Sequence, residues 1–455
     1  MGSHKLILDM DTGIDDALAL AYLATFSDAE LLGVIGTYGN VATDTAVRNT
    51  AYVLELLELH DVPVMRGSQA PSWAAAFIPD AGCAQFHGTD GLGGFGPSAD
   101  WHTPGSMSDS PKTDAYGHRQ EYRMADPPET DVHAIRSLIS VGGYDVHDPH
   151  ANPAVDSFSL SFASDQCETH DDSRNRTTAT ADVRYSPALP AGVQFIIDTV
   201  RRYGNDVTVI ATGPLTDIDA ALQAAPDIAG KLRLVMMGGT LTQEGNCWDL
   251  TAETNIIQDP EAANRVFRSG ADITMVGLDV THQCLLGGEA TQRWRNAAAP
   301  SEQSNGAIPV DSPAHSATSQ HALSPRALRF LADIADFSIA ANLKADARLF
   351  SAGMPLHDPL AAAVALDQTL VSCIDLPMKV ETQTGDFHGT RGRTIGDPEG
   401  LIDPLAPRVH VALHVDAERF VSEFTARISY VPGIRRGTRA SSKRLVSARG
   451  LSKSE

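Results

Sequence analysis

Residues Asp9-Met10-Asp11-Thr12-Gly13-Ile14-Asp15-Asp16 set four carboxylates into eight positions, between the apolar run Leu6-Ile7-Leu8 and the run Ala17-Leu18-Ala19-Leu20-Ala21. Carboxylates this close repel unless protons, a cation or several hydrogen bonds compensate them. Hard-oxygen clusters suit calcium or magnesium rather than zinc. A divalent metal is the first expectation. The flanking pattern predicts a strand over Lys5 to Leu8, a tight turn at Gly13 and a helix from Asp15 onward. The acids then sit at the carboxyl end of a strand, where parallel sheets bind ligands and a helix N-terminus tolerates negative charge. Helix capping alone accounts for one acid and leaves Asp9 and Asp11 unexplained.

The same strand-helix rhythm continues. Leu31 to Gly36 reads as a buried strand and Thr45 to Leu59 as a helix. After Pro187 come a helix to about Tyr203, the strand Val207 to Ala211, a helix from Asp217, the strand Leu232 to Met237, a helix after Asp259-Pro260 and the strand Ile273 to Leu278. Repeated βα units predict an α/β fold with a mostly parallel sheet flanked by helices. Two stretches break the rhythm. Residues 98–185, rich in Ser, Asp, His, Thr and Pro, read as an irregular insertion with partial disorder, and residues 296–324 as a second surface insertion. The basic segment 435–455 reads as a disordered tail, which leaves 1–434 as one domain.

Bulk properties narrow the function. The 42% hydrophobic content supports a substantial core, and no run of some 18 apolar residues is present to span a membrane. No secretory signal is visible at the N-terminus, so a cytoplasmic location is expected. The net charge of −22 argues against nucleic-acid binding, which needs cationic surface. Five scattered cysteines with no C-x-x-C pair make neither a disulfide framework nor a zinc site.

Eight elements then occur in a particular order: Asp9-x-Asp11-x-Gly13-x-Asp15-Asp16, Gly39-Asn40, His87-Gly88-x-x-Gly91-Leu92-Gly93, Ala211 to Thr216, Met237-Gly238-Gly239, Glu253-x-Asn255, Gly277 to His282, and His357-Asp358-Pro359-Leu360. In that order the chain resembles the inosine-uridine nucleoside hydrolases, over nearly all of its length outside the two insertions. The resemblance implies a Rossmann-like fold, a small-molecule ribonucleoside as substrate and a homo-oligomer, dimer or tetramer. The activity it implies is hydrolysis of the N-glycosidic bond of pyrimidine nucleosides, inosine or both. In that family a calcium ion (Ca2+) at the pocket floor binds the ribose 2′ and 3′ hydroxyls and the attacking water. Carried across by motif, Asp11, Asp16 and Asp358 would be side-chain ligands and Thr212 would offer its carbonyl, an oxygen-only set of the kind calcium accepts. Asp11 would also take the proton from the water. Asp15, Asn40 and Asn255 would bind the sugar and Glu253 its 5′ hydroxyl, with Met237 and Asn246 also at the substrate. A carboxylate-lined sugar site favours an oxocarbenium-like transition state over the neutral substrate. His357 matches the position that protonates the departing base, and His87 a second base-side histidine of some members.

Several residues depart from the family pattern. Thr12 replaces a common proline, Thr254 a frequent aromatic, Asn246 lies one residue farther from Glu253 than expected, and the helical stretch Ala327 to Leu349 has no tyrosine. His147-Asp148-Pro149 copies the His357 triplet but lies in polar sequence, without the apolar helix that would fix it. His282 reads as packing. The glycines from Gly88 to Gly96 lack the lysine of a phosphate loop and suggest a mobile lid. Two alternatives stand beside the hydrolase: a haloacid-dehalogenase-like phosphatase using Asp9-x-Asp11, and a silent calcium-dependent nucleoside-binding module.

Overall fold

The computed structural model describes residues 3–98, 100–101, 188–299, 320–385, 388–401 and 403–430. All belong to one compact unit, Met1–Thr103 with Ala188–Glu455. Most of both predicted insertions, the basic tail and the His147-Asp148-Pro149 triplet lie outside the described residues.

The strands are β1 (His4–Met10), β2 (Ala29–Gly36), β3 (Val64–Arg66), β4 (Val207–Ala211), β5 (Arg233–Met237), β6 (Asp272–Val276), β7 (Leu285–Leu286), β8 (Met354–Pro355), β9 (Val371–Val380), β10 (Thr394–Gly396) and β11 (Arg408–Val415). The helices are α1 (Ile14–Ala24), α2 (Thr43–Leu56), α3 (Ala81–His87), α4 (Ala191–Tyr203), α5 (Thr216–Ala224), α6 (Thr254–Gln258), α7 (Pro260–Phe267), α8 (Leu278–Thr281), α9 (Gly288–Ala297), α10 (Pro325–Ala345), α11 (Ala347–Phe350), α12 (His357–Leu366) and α13 (Ala417–Ile428).

Nine strands form one sheet in the order β10-β9-β11-β6-β5-β4-β1-β2-β3, parallel from β11 to β3. β9 runs antiparallel to both β11 and β10. Side chains alternate as the period of two demands. Leu6, Leu8 and Met10 of β1 join a core cluster with α1, α10, α12 and α13, while Ile7 joins the other with α4, α5 and α7. Both faces are therefore covered, which is why the strands read as unbroken apolar runs. α1 is buried from Ile14 to Leu23, so it is apolar all round rather than amphipathic.

Two sequence expectations need correction. The run Ile273 to Leu278 is not one strand: β6 stops at Val276, and Gly277 caps the short helix α8. The second insertion begins later than 296, because α9 continues to Ala297, and ends earlier, because Gln320 bridges Phe26 and the Ser324 hydroxyl caps α10. His87 is the last residue of α3, which Gly88 terminates at φ 77°.

Candidate active site

Chain order leaves β1 in opposite directions, to β2 and β3 on one side and to β4, β5 and β6 on the other. A crevice opens at such a switch point, outside the carboxyl ends of the strands. The turns following β1, β2 and β4 carry Asp11, Asn40 and Thr212 into it. The first turn of α12 adds His357 and Asp358, and α12 packs on α1.

The carboxylates are buried and densely bonded. Asn40 donates its backbone N–H to Asp11 Oδ2 at 2.7 Å and its side-chain amide to Asp11 Oδ1 at 2.9 Å. Gly39 makes this approach possible, because a Cβ there would stand 1.8 Å from Asp11 Oδ2. Asp16 accepts from the Gly13 N–H at 2.7 Å, capping α1, and from the Thr212 hydroxyl at 2.6 Å. Capping is thus one part of what Asp16 does. Thr12 holds φ 29°, unusual for a β-branched residue, and its hydroxyl bonds that of Thr50 at 2.7 Å. Proline cannot adopt that φ, so the departure at position 12 has a backbone counterpart.

Burial pushes Asp15 and Asp16 up to about 6. It also holds Asp11 and Asp358 well above the carboxylate range, with neighbouring acid charges adding to the effect. Among the described residues, Asp15, Asp16 and Asp358 offer oxygens within 4.8 Å of one another. Asp15 Oδ1 is buried without a hydrogen-bond partner. An orphaned oxygen among clustered buried acids fits a hard divalent cation. Asp15, expected at the sugar, belongs to this trio. Asp11, expected as a ligand, stands just outside it, turned to Asn40 and coupled to Asp16 through charge.

The other predicted residues surround this floor. Asn255 donates its amide to the Thr212 carbonyl at 2.8 Å and the Met237 carbonyl at 3.2 Å. Glu253 accepts from the backbone N–H groups of Gly239, Asn255 and Ile256, and burial pushes it up to about 7. Asn246 is exposed, and its Oδ1 accepts from the Thr254 N–H and hydroxyl, both at 3.0 Å. His87 Nδ1 accepts the Ile14 N–H at 3.1 Å and lies 3.7 Å from Asp15 Oδ1. Burial lowers His87 to about 4, so its ring is neutral and carries its proton on Nε2. His357 is also held well below the usual range, by burial and by the His282 and His87 rings.

The glycine-rich turn is not built as a lid. The Asp90 carboxylate accepts from the N–H groups of Leu92, Gly94 and Gly96, and Asn49 holds the Asp90 carbonyl at 2.7 Å. Its glycines supply the positive φ angles this turn needs.

Sequence reading missed the partner of Asp9. Asp9 faces Asp217 at the start of α5, and Asp217 in turn accepts from the Ser68 N–H and hydroxyl. Burial and the Asp217 charge push Asp9 well above the usual carboxylate range. Through Asp217 and Ser68 this pair connects the end of β1 to the segment leaving β3.

The sequence pattern of the family described as inosine-uridine preferring nucleoside hydrolase matches residues 6–422. The chain belongs to this family. Its relatives include the pyrimidine-specific ribonucleoside hydrolase RihA of Shigella boydii, 25% identical over 93% of this chain and 98% of that protein. Among solved structures, a purine-preferring ribonucleoside hydrolase from Gardnerella vaginalis is 34% identical, with TM-score 0.62 over 93% of this chain and 98% of its own. An inosine-uridine preferring nucleoside hydrolase from Bacillus anthracis shares the fold at 18% identity and TM-score 0.54, covering 95% of this chain and 100% of its own. This nucleoside hydrolase is thus an N-glycosyl hydrolase acting on small-molecule ribonucleosides. The phosphatase alternative has no support from these matches. Among the described residues, no helix is long and apolar enough to cross a membrane.

Proposed function

We propose that this hydrolase is calcium-dependent and cleaves pyrimidine nucleosides, inosine or both. The observation that carries the reading is the buried trio Asp15, Asp16 and Asp358, with one oxygen unpartnered and the His87 ring 3.7 Å from it. Asp16, Asp358, the Thr212 carbonyl and either Asp11 or Asp15 would hold the ion. Bound calcium supplies the positive charge these oxygens lack and acidifies a neighbouring water.

Asp11 is the proton acceptor in this scheme. Its two bonds from Asn40 hold the carboxylate in place, and its raised proton affinity suits a base. Asp15, Asn40 and Asn255 bind the ribose hydroxyls, Glu253 the 5′ hydroxyl, and Met237 with Asn246 border the substrate. The acids around the ring favour positive charge developing there. His87, through Nε2–H, and His357 face the departing base, whose growing negative charge raises their affinity for a proton. Cytoplasmic residence and a homo-oligomer belong to the same reading, and light scattering tests the latter.

Ribose release from uridine, cytidine, inosine and adenosine tests the function, with wild type and Asp11→Ala, in calcium and in chelator. Release lost in the variant and on calcium removal supports it and identifies the base. No release from any nucleoside by folded, calcium-loaded protein defeats it.

A further inference from the structure

We propose that Thr281 is a positioning residue for the leaving-base end of the site, acting through His357; this rests on the role given to His357 above. Thr281 closes α8 and is fully buried, and its hydroxyl lies 2.8 Å from His357 Nδ1. His357 itself is only half-buried. The bonded Nδ1 edge is therefore the inner one, and the Nε2 edge is left for the base. A ring flipped by half a turn would set carbon against the Thr281 oxygen and strand a buried hydroxyl, so the bond selects one orientation.

The support is rigid. Threonine is stiff at χ1, which fixes where its oxygen points. α8 is anchored to a neighbouring segment by Asp279, whose carboxylate accepts from the N–H groups of Leu241 and Thr242 and from the Thr242 hydroxyl. The neighbouring His282 ring lies 5.6 Å from the His357 ring and is itself packed edge-on by Phe350 at 5.4 Å. The last residue of α8 and the one that follows it thus flank the imidazole, Thr281 at its nitrogen and His282 at its ring.

The test compares the calcium-loaded enzyme on its best nucleoside and on 4-nitrophenyl β-D-ribofuranoside, whose phenolate departs without a proton. For Thr281→Val, the ratio of nucleoside to nitrophenyl kcat is expected to fall by about 10–100-fold with KM for the nucleoside little changed. Thr281→Ser, which keeps the hydroxyl, should restore the ratio. In a His357→Ala background, adding Thr281→Val should lower the ratio no further. Equal losses on both substrates, a serine variant as impaired as valine, or additive losses in the double variant would each overturn the proposal. Should the valine variant not fold, the serine variant and its melting curve carry the comparison. A wild type that releases no ribose from nucleosides, but cleaves the nitrophenyl riboside, defeats the underlying function instead.

Discussion

Replacing Asp16 by asparagine should make the metal-free enzyme more stable at pH 8 while abolishing its response to calcium. Asp16 is fully buried and pushed up to about 6 by burial and by the Asp15 charge. A folded-state value above the unfolded one, about 4, gives stability that is present below pH 4 and lost as pH rises through 6. The shift is about two units at about 1.4 kcal/mol each, so ionised Asp16 costs the metal-free fold at most about 3 kcal/mol, part of it shared with Asp15. Asparagine fits the same bonds. Its oxygen takes the Gly13 N–H, its amide donates to the Thr212 hydroxyl, and that hydroxyl turns to the Asp9 carbonyl 3.5 Å away. In chelator, Asp16→Asn should therefore melt above wild type at pH 8 and beside it at pH 4. With calcium at about a thousand times its dissociation constant, wild type gains about 4.1 kcal/mol and the order reverses. Melting curves at both pH values, in calcium and in chelator, read the effect. A variant less stable than wild type at pH 8 in chelator, or stabilised equally by calcium, would refute the reasoning.

Gly39→Ala drives a Cβ into Asp11 Oδ2, so ribose release should fall at least about 100-fold, and wild-type turnover would contradict the geometry. His87→Ala leaves the Ile14 N–H without its acceptor and should lower stability by about 1–3 kcal/mol in a urea titration. Thr12→Pro cannot reach φ 29° and should cost roughly 1–3 kcal/mol, while Thr12→Gly should not; equal melting of the two would count against the described backbone. Calcium should raise the melting temperature more at pH 8 than at pH 5, because the ion replaces protons that Asp15 and Asp16 hold below about 6.

The sheet was legible because strands covered on both faces carry apolar runs, as Leu6 to Leu8 of β1, Val209 to Ala211 of β4 and Leu234 to Met237 of β5 do. The floor of the site was legible because its acids crowd into one short turn. What escaped were pairings between distant segments. Nothing near Thr281 marks it as the partner of a histidine 76 residues on, and nothing near Asp9 points to Asp217. Glycine misled twice. Gly88 looked like a loop residue but stops a helix, and the glycines after it looked like looseness but serve a turn that Asp90 ties down. At Gly277 a strand pattern ran on through a helix cap, since apolar residues alone do not tell a buried strand from a buried turn of helix.

The trio that fits a cation draws Asp15 and Asp16 from the first helix of the chain and Asp358 from α12, far along the sequence. Every parallel strand that frames the crevice, from β1 to β6, precedes α12, so a growing chain can lay down that framework while the site still lacks a wall. Closing a flexible loop of a few hundred residues costs on the order of 5 kcal/mol, and an ion gripped from both ends offsets part of that cost much as a cross-link would. Catalytic competence would then come only after the parallel framework is in place, and loss of the ion would loosen the join between α1 and α12.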